Sequence, residues 1–218
     1  MKLSPLILSE GRYDKIVTVL SREIVKAIKQ KKQLEKSFSL FDDEPNYELS
    51  VVINYSTKID YAFNIGGEYI NINKAKEQLA KIKRGEVTKT YPILVEVKID
   101  VRTETIPNVL TVAIPMIKRT LRHEIEHCSQ DVLKGKPTRG YEREKLSMFD
   151  YLTSPTEVSA MVQGFYKEAK SSKEYLDSIL IKYLRVQGLS QSELKKVLTI
   201  WISYANKNTP ARRWSWEK

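Results

Sequence analysis

The sequence predicts an α+β chain: a small, mostly antiparallel sheet packed on a long helix, with a helical C-terminal part. Three observations predict it. Apolar and polar residues alternate in the stretches Leu49 to Tyr55, Ile59 to Ile65 and Ile93 to Val101, the period of a half-buried strand. Apolar residues recur at helical spacing over residues 10–35, from Pro115 to Val132, and nearly throughout the chain after Pro155. The composition, 41% apolar and 29% charged over 218 residues, is that of a globular chain able to bury a sizeable core.

Taken in order, residues 10–35 read as a first helix capped by Ser9, with Ile16, Val17, Leu20, Ile24, Val25 and Ile28 on one face. The neighbouring Lys29, Lys31, Lys32 and Lys36 read as a solvated face. Asp42 to Asn46 is a polar break, after which the period changes from helix to strand. Strands are expected at Leu49 to Tyr55 and Ile59 to Ile65, then a tight hairpin at Gly66-Gly67 with positive φ angles, and a returning strand from Tyr69 to Ile72. Asn73 is expected to cap a short basic helix that carries Ala75, Leu79 and Ile82 and ends near Gly85. The clearest strand is Ile93 to Val101, and Pro92 at its start is tolerated at a strand beginning or sheet edge. Pro107 to Ile114 reads either as helix kinked at Pro115 or as an extended lead into it. From Pro115 the helix is continuous, with Ile117, Leu121, Cys128 and Val132 as its apolar stripe. Ser154-Pro155 opens another helix carrying Val158, Met161, Val162, Phe165 and Ala169. A second, with Tyr175, Leu176, Ile179, Leu180, Tyr183 and Leu184, stops at Gly188; a third, capped by Ser190 and Glu193, carries Leu194, Val197, Leu198, Trp201 and Tyr204. Four segments result: an N-terminal helix (1–40), a central α+β body (41–170), a helical extension (171–206) and a basic, aromatic tail (207–218) with Arg212, Arg213, Trp214 and Trp216.

The chemistry is concentrated in Arg122-His123-Glu124-Ile125-Glu126-His127-Cys128, which contains both histidines of the chain. Residues i and i+4 lie one above the other on a helix, so His123 and His127 can share one small ion. Two imidazoles suit Zn²⁺, and a catalytic site adds a third protein ligand and keeps one position for water. Glu124 then sits beside that position as general base. Glu126 falls on the opposite face and reads as solvated, while Cys128 points about 100° away from His127 and reads as packing.

The third ligand must come from elsewhere. Glu157 is the first choice, with Glu142, Glu144 and Asp150 as alternatives. Ser154-x-x-Glu157 is also a capping box, in which the carboxylate turns back to its own helix. Ala160 and Gly164, on the same side of the helix as Glu157, favour close approach to the motif helix and therefore metal binding. An oxyanion donor is expected among Tyr141, Tyr151 and Tyr166. The strand Ile93 to Val101 is a candidate edge for pairing an extended peptide.

His-Glu-x-x-His followed by Glu-x-x-Ala on a separate helix resembles the gluzincin branch of zinc metallopeptidases. Within it, the Arg122–His127 segment and Ser154-Pro155-Thr156-Glu157-Val158-Ser159-Ala160 are similar to small metallopeptidase-like proteins of tailed bacteriophages. The resemblance covers residues 90–170. It implies a zincin-like fold for the central body, zinc held by His123, His127 and Glu157, Glu124 as the catalytic residue, and a place in the host cytoplasm or the virion. A protein or peptide substrate follows from it. The alternative is a phage structural or interaction protein that keeps a zinc site with little or no hydrolysis.

Other classes are disfavoured. No apolar run approaches the roughly 20 residues that span a bilayer, so no membrane association is expected. The patch Leu3 to Leu8 ends too soon, at Glu10, Arg12 and Asp14, for a secretory signal. One cysteine excludes an internal disulfide framework and agrees with an intracellular, reducing compartment. The net charge of +10 can steer the chain to a phage particle or another anionic partner, but no reader motif accompanies it, so specific nucleic-acid recognition is not expected.

Overall fold

Ile93–Arg102 (β4) is the strand around which the sheet is built, and Leu94, Val95, Val97, Ile99 and Val101 are each buried to within 1%. Burial of each such side chain stabilises the fold by about 1.5–3 kcal/mol relative to exposure, an upper figure because unfolded chains are already partly collapsed. The structure, a computed structural model, describes residues 5–40, 46–70, 72–134, 146–209 and 214–215. Before β4 come α1 (Pro5–Gln30), β1 (Leu34–Phe38), β2 (Tyr47–Ser56), β3 (Phe63–Tyr69) and α2 (Ile72–Lys83). After it come α3 (Ile106–Lys134), α4 (Met148–Thr153), α5 (Pro155–Ser172), α6 (Leu176–Leu184) and α7 (Gln191–Asn208).

The described residues form an α+β fold with one four-stranded mixed sheet of order β1-β2-β4-β3. β1 and β2 are antiparallel, β2 and β4 parallel, and β3 and β4 antiparallel. β4 is therefore central, between β2 and β3, and cannot pair a peptide; the edges of the sheet are β1 and β3. Ile70 donates to the Leu94 carbonyl and Arg102 to that of Ala62. In an antiparallel ladder this turns the even residues of β3 toward β4 and the amides and carbonyls of Ile65 and Gly67 outward.

Several boundaries also differ from expectation. α1 ends at Gln30, where Lys31 takes a left-handed φ of 52°, and the chain continues as β1. Gln33 assists the reversal: its side-chain amide both accepts from the Ile53 amide (2.7 Å) and donates to the Ile53 carbonyl (2.9 Å), extending the β1 ladder by one rung. Ser9 and Asn73 lie inside helices and are not their caps. Gly66 and Gly67 lie inside β3 and are not among the positive-φ glycines, which among the described residues are Gly85 and Gly188. Tyr69 closes β3 and Ile72 opens α2, so no returning strand exists there. α3 runs unbroken through Pro115, which resolves the helical alternative in favour of helix from Ile106. Lys29, Lys31, Lys32 and Lys36 are exposed as expected. Part of the polar break (42–45), Glu142, Glu144, Tyr141, Arg212, Arg213, Trp216 and the Val132 side chain lie outside the described residues.

Two apolar cores result. One lies between the sheet, α1 and the stripe Ile117, Leu121, Ile125 and Cys128 of α3. The other is formed by α4 to α7 around Phe165, Leu180 and Trp201, with Trp214 folded back onto it. Ser190 and Glu193 cap α7 reciprocally, as the sequence predicts. α3 meets α5 along the seam between the two cores, and the Lys167–Asp14 ion pair, 2.9 Å, ties α5 to α1. No helix among the described residues is long and apolar enough to cross a membrane.

Candidate metal centre

The turns of α3 that carry the motif are buried on three sides, and this places its polar residues. The apolar stripe faces the sheet, so Glu124 falls beside β3, and His123 and His127 fall between β3 and α5. α5 comes close because of Gly164: a Cβ there would stand 2.9 Å from the Arg119 carbonyl and 3.4 Å from the His123 Cβ. Ala160 is fully buried at the same seam, as its small size requires.

The third candidate arrives from the N-terminus of α5. Glu157 Oε1 lies 3.4 Å from His127 Nε2, and its Oε2 lies 3.7 Å from His123 Nε2. The two Nε2 atoms are 3.2 Å apart. All three donor groups lie within 4.8 Å of one another, and together they can hold a metal ion. Donors about 2.0–2.1 Å from a tetrahedral ion stand about 3.3 Å from each other, so these separations match one shared ion. The capping alternative is corrected by the same geometry, since Ser154 makes no side-chain cap bond and its Oγ is buried without a partner. Glu157 Oε2 is likewise buried without a hydrogen bond, an acceptor whose desolvation is costly unless a positive group fills the gap. The donor set therefore fits an ion.

Neighbouring groups orient the ligands. His123 is hydrogen-bonded to the backbone of Ala160, and burial pushes its pKa down to about 3, which keeps the imidazole neutral and its lone pair available. For His127 burial alone acts downward, but the hydrogen bond and charge of Glu157, with Glu124 and the Gln130 side chain, outweigh it and raise the pKa. Gln130 is itself anchored through Nε2 to the Thr156 carbonyl, 3.1 Å. Glu157 keeps a lowered pKa despite burial, because His127, His123 and the Tyr151 hydroxyl favour the carboxylate.

Glu124 is not one of the three donors. Its Oε1 is 4.0 Å from His123 Nε2, only 5% of the residue is exposed, and burial first of all pushes its pKa up to about 7, against a lowering from His127 and a Tyr69 backbone bond. β3 passes directly over it: a Cβ on Gly67 would lie 2.7 Å from Glu124 Oε1 and 2.6 Å from Thr120 Cγ2. That glycine is required by the close approach of strand to helix, which is why a turn reading of Gly66-Gly67 fails.

The remaining candidates separate clearly. Asp150 is exposed and bonded to Ser147 at the start of α4, away from the cluster. Tyr151 is engaged with Glu157. Tyr166 is nine positions beyond Glu157, hence about 180° around α5, and packs in the second core. Glu126 is corrected from solvated to largely buried: it pairs with Arg122 at 2.8 Å and accepts from Ser159 Oγ at 2.8 Å. Cys128 is fully buried, as its position predicts. Tyr69, whose ring stacks 6.4 Å from that of His127, escaped the sequence reading because nothing local ties it to residue 127. Comparison with protein-family models, curated proteins and solved structures finds no match to this chain.

Proposed function

We propose that this chain is a zinc-dependent peptidase with a zincin-like fold, holding zinc through His123, His127 and Glu157. The observation that carries the reading is the convergence of two imidazoles and one carboxylate from two helices beside a second buried carboxylate, Glu124, that is not among the donors. A two-nitrogen, one-oxygen set leaves a tetrahedral ion one open position, which suits a catalytic site more than a closed structural one. When bound, the ion supplies Lewis-acid activation of a water and of the scissile carbonyl.

The chain's own residues do the rest. Glu124 accepts the proton of the attacking water and later delivers it to the leaving amine. Its enclosure under Gly67 excludes bulk solvent and strengthens that interaction. Tyr151 holds Glu157 in the orientation its lone pairs need, and Gln130 ties α3 to the start of α5 through the Thr156 carbonyl. The substrate is a peptide in extended form, pairing with the outward amides and carbonyls of Ile65 and Gly67 on β3, so that its backbone runs past Glu124.

The test is metal content and proteolysis measured together on the wild type and Glu124→Gln. Equal zinc in both, with hydrolysis reduced about 10²–10⁴-fold in the variant, is expected for loss of the general base. Equal residual hydrolysis in the two proteins removes Glu124 from the mechanism.

A further inference from the structure

On the flank of the α3–α5 seam opposite the metal cluster lies a polar chain that the proposed reaction does not use. Arg122, 2% exposed, pairs through Nη1 with Glu126 Oε2 at 2.8 Å, and its guanidinium lies 5.5 Å over the Tyr13 ring of α1. Ser159 Oγ donates to Glu126 Oε1 at 2.8 Å and sits 2.7 Å from the Tyr204 hydroxyl of α7. Ser159 has one hydroxyl proton and gives it to the carboxylate, so Tyr204 must donate to Ser159. One hydrogen-bonded path thus runs from Arg122 through Glu126 and Ser159 to the last helix.

Ser159 follows Glu157 by two residues, hence by about 200° around α5. Glu157 reaches the histidines on one flank of the seam while Ser159 grips Glu126 on the other. Two grips on opposite flanks fix the roll of α5 about its own axis, which a single apolar contact line does not. A carboxylate about 6 Å from a helix axis moves by about 1 Å for a roll of about 10°. That is twice the tolerance of about 0.5 Å within which a constellation of this kind stays productive.

We infer that Ser159, held between Glu126 and Tyr204, is a positioning residue that sets the approach of Glu157 to the metal and so makes the C-terminal helix α7 part of the site. This rests on the metal reading above. Leaving the hydroxyl out releases the Glu126 flank of α5 beside Glu157, while the Arg119–Glu168 and Lys167–Asp14 pairs further along the helix stay, and touches no ligand.

The experiment measures zinc affinity by chelator competition, the visible spectrum of the cobalt-substituted protein, and the melting temperature of the metal-free protein. The proteins compared are the wild type, Ser159→Ala, Tyr204→Phe and the double variant. Ser159→Ala is expected to weaken zinc binding about tenfold and to change the cobalt ligand-field bands, the scale seen when groups behind a ligand are removed. Tyr204→Phe, which deletes one oxygen and keeps the serine, is expected to weaken binding about threefold, and the double variant to equal Ser159→Ala because Tyr204 acts through Ser159. Wild-type affinity and an unchanged cobalt spectrum in Ser159→Ala, with only the melting temperature lowered, overturn the positioning role and leave the metal centre standing. A wild type that takes up neither ion overturns both.

Discussion

Replacing Gly67 by alanine presses on the contact between β3 and the motif helix. The new Cβ would meet Thr120 Cγ2 at 2.6 Å, Glu124 Oε1 at 2.7 Å and Glu124 Cγ at 2.9 Å. Carbon atoms pack at about 3.5–4.0 Å, so roughly 1 Å must be found, either by lifting β3 or by displacing Thr120 and Glu124. β3 is laddered to β4, and Thr120 and Glu124 are both buried, so neither side yields freely. Overpacking of this size costs about 1–3 kcal/mol, offset by about 0.4–1 kcal/mol from the reduced freedom of the unfolded chain. The net loss of about 1–2 kcal/mol lowers the melting temperature by about 2–8 °C in a chain of this size. Zinc content stays at the wild-type level, because none of the three donors is touched. Hydrolysis falls about 100-fold, the usual consequence of moving a catalytic group by about 1 Å. Gly66→Ala is the control, since nothing lies within 4 Å of its Cβ position. Calorimetry and a peptide-cleavage assay on the two variants decide the matter: a Gly67→Ala protein as stable and active as Gly66→Ala refutes the close approach.

Two further outcomes bear on the same seam. Gly164→Ala places a methyl 2.9 Å from a backbone carbonyl of α3, which has no rotamer with which to retreat, so α5 must back away. Zinc affinity is expected to fall at least tenfold together with stability, and titration of the purified variant checks it. Zinc added to the metal-free wild type at about 1,000 times its dissociation constant stabilises it by about 4 kcal/mol and raises its melting temperature correspondingly. Glu157→Ala is expected to lose most of that rise, and an undiminished rise in that variant removes Glu157 from the ligand set.

How much of this could be read in advance depends on whether the cause is local. His123 and His127 are placed by helix geometry alone, and Glu157 follows from a helix start that residues Ser154 and Pro155 announce. The strand character of Ile93 to Val101 is equally local. Its rank in the sheet is not, because Pro92 is compatible with both a strand beginning and an edge, and only the pairing with β2 and β3 decides. β1 was hidden by Glu35, Lys36 and Ser37, whose side chains are exposed and give no alternation to detect. Glycine carries two meanings, release of φ and removal of bulk; at Gly85 the first applies, at Gly67 and Gly164 the second, and the second depends on a partner distant in sequence. Glu126 looked solvated because a helical wheel shows which face opposes the apolar stripe, without showing that α5 arrives there with Ser159.

Each apolar core has its own set of helices, and the ligands come from both sides of the line where they meet. In the proposed reading, an ion gripped by α3 and α5 at once is therefore a rivet between the two cores, added to the Lys167–Asp14 tie. Its arrival does more than deepen one energy well, since it obliges the sheet half and the helical half to open together. On that reading, the reaction centre and one of the fastenings between the two cores are a single point.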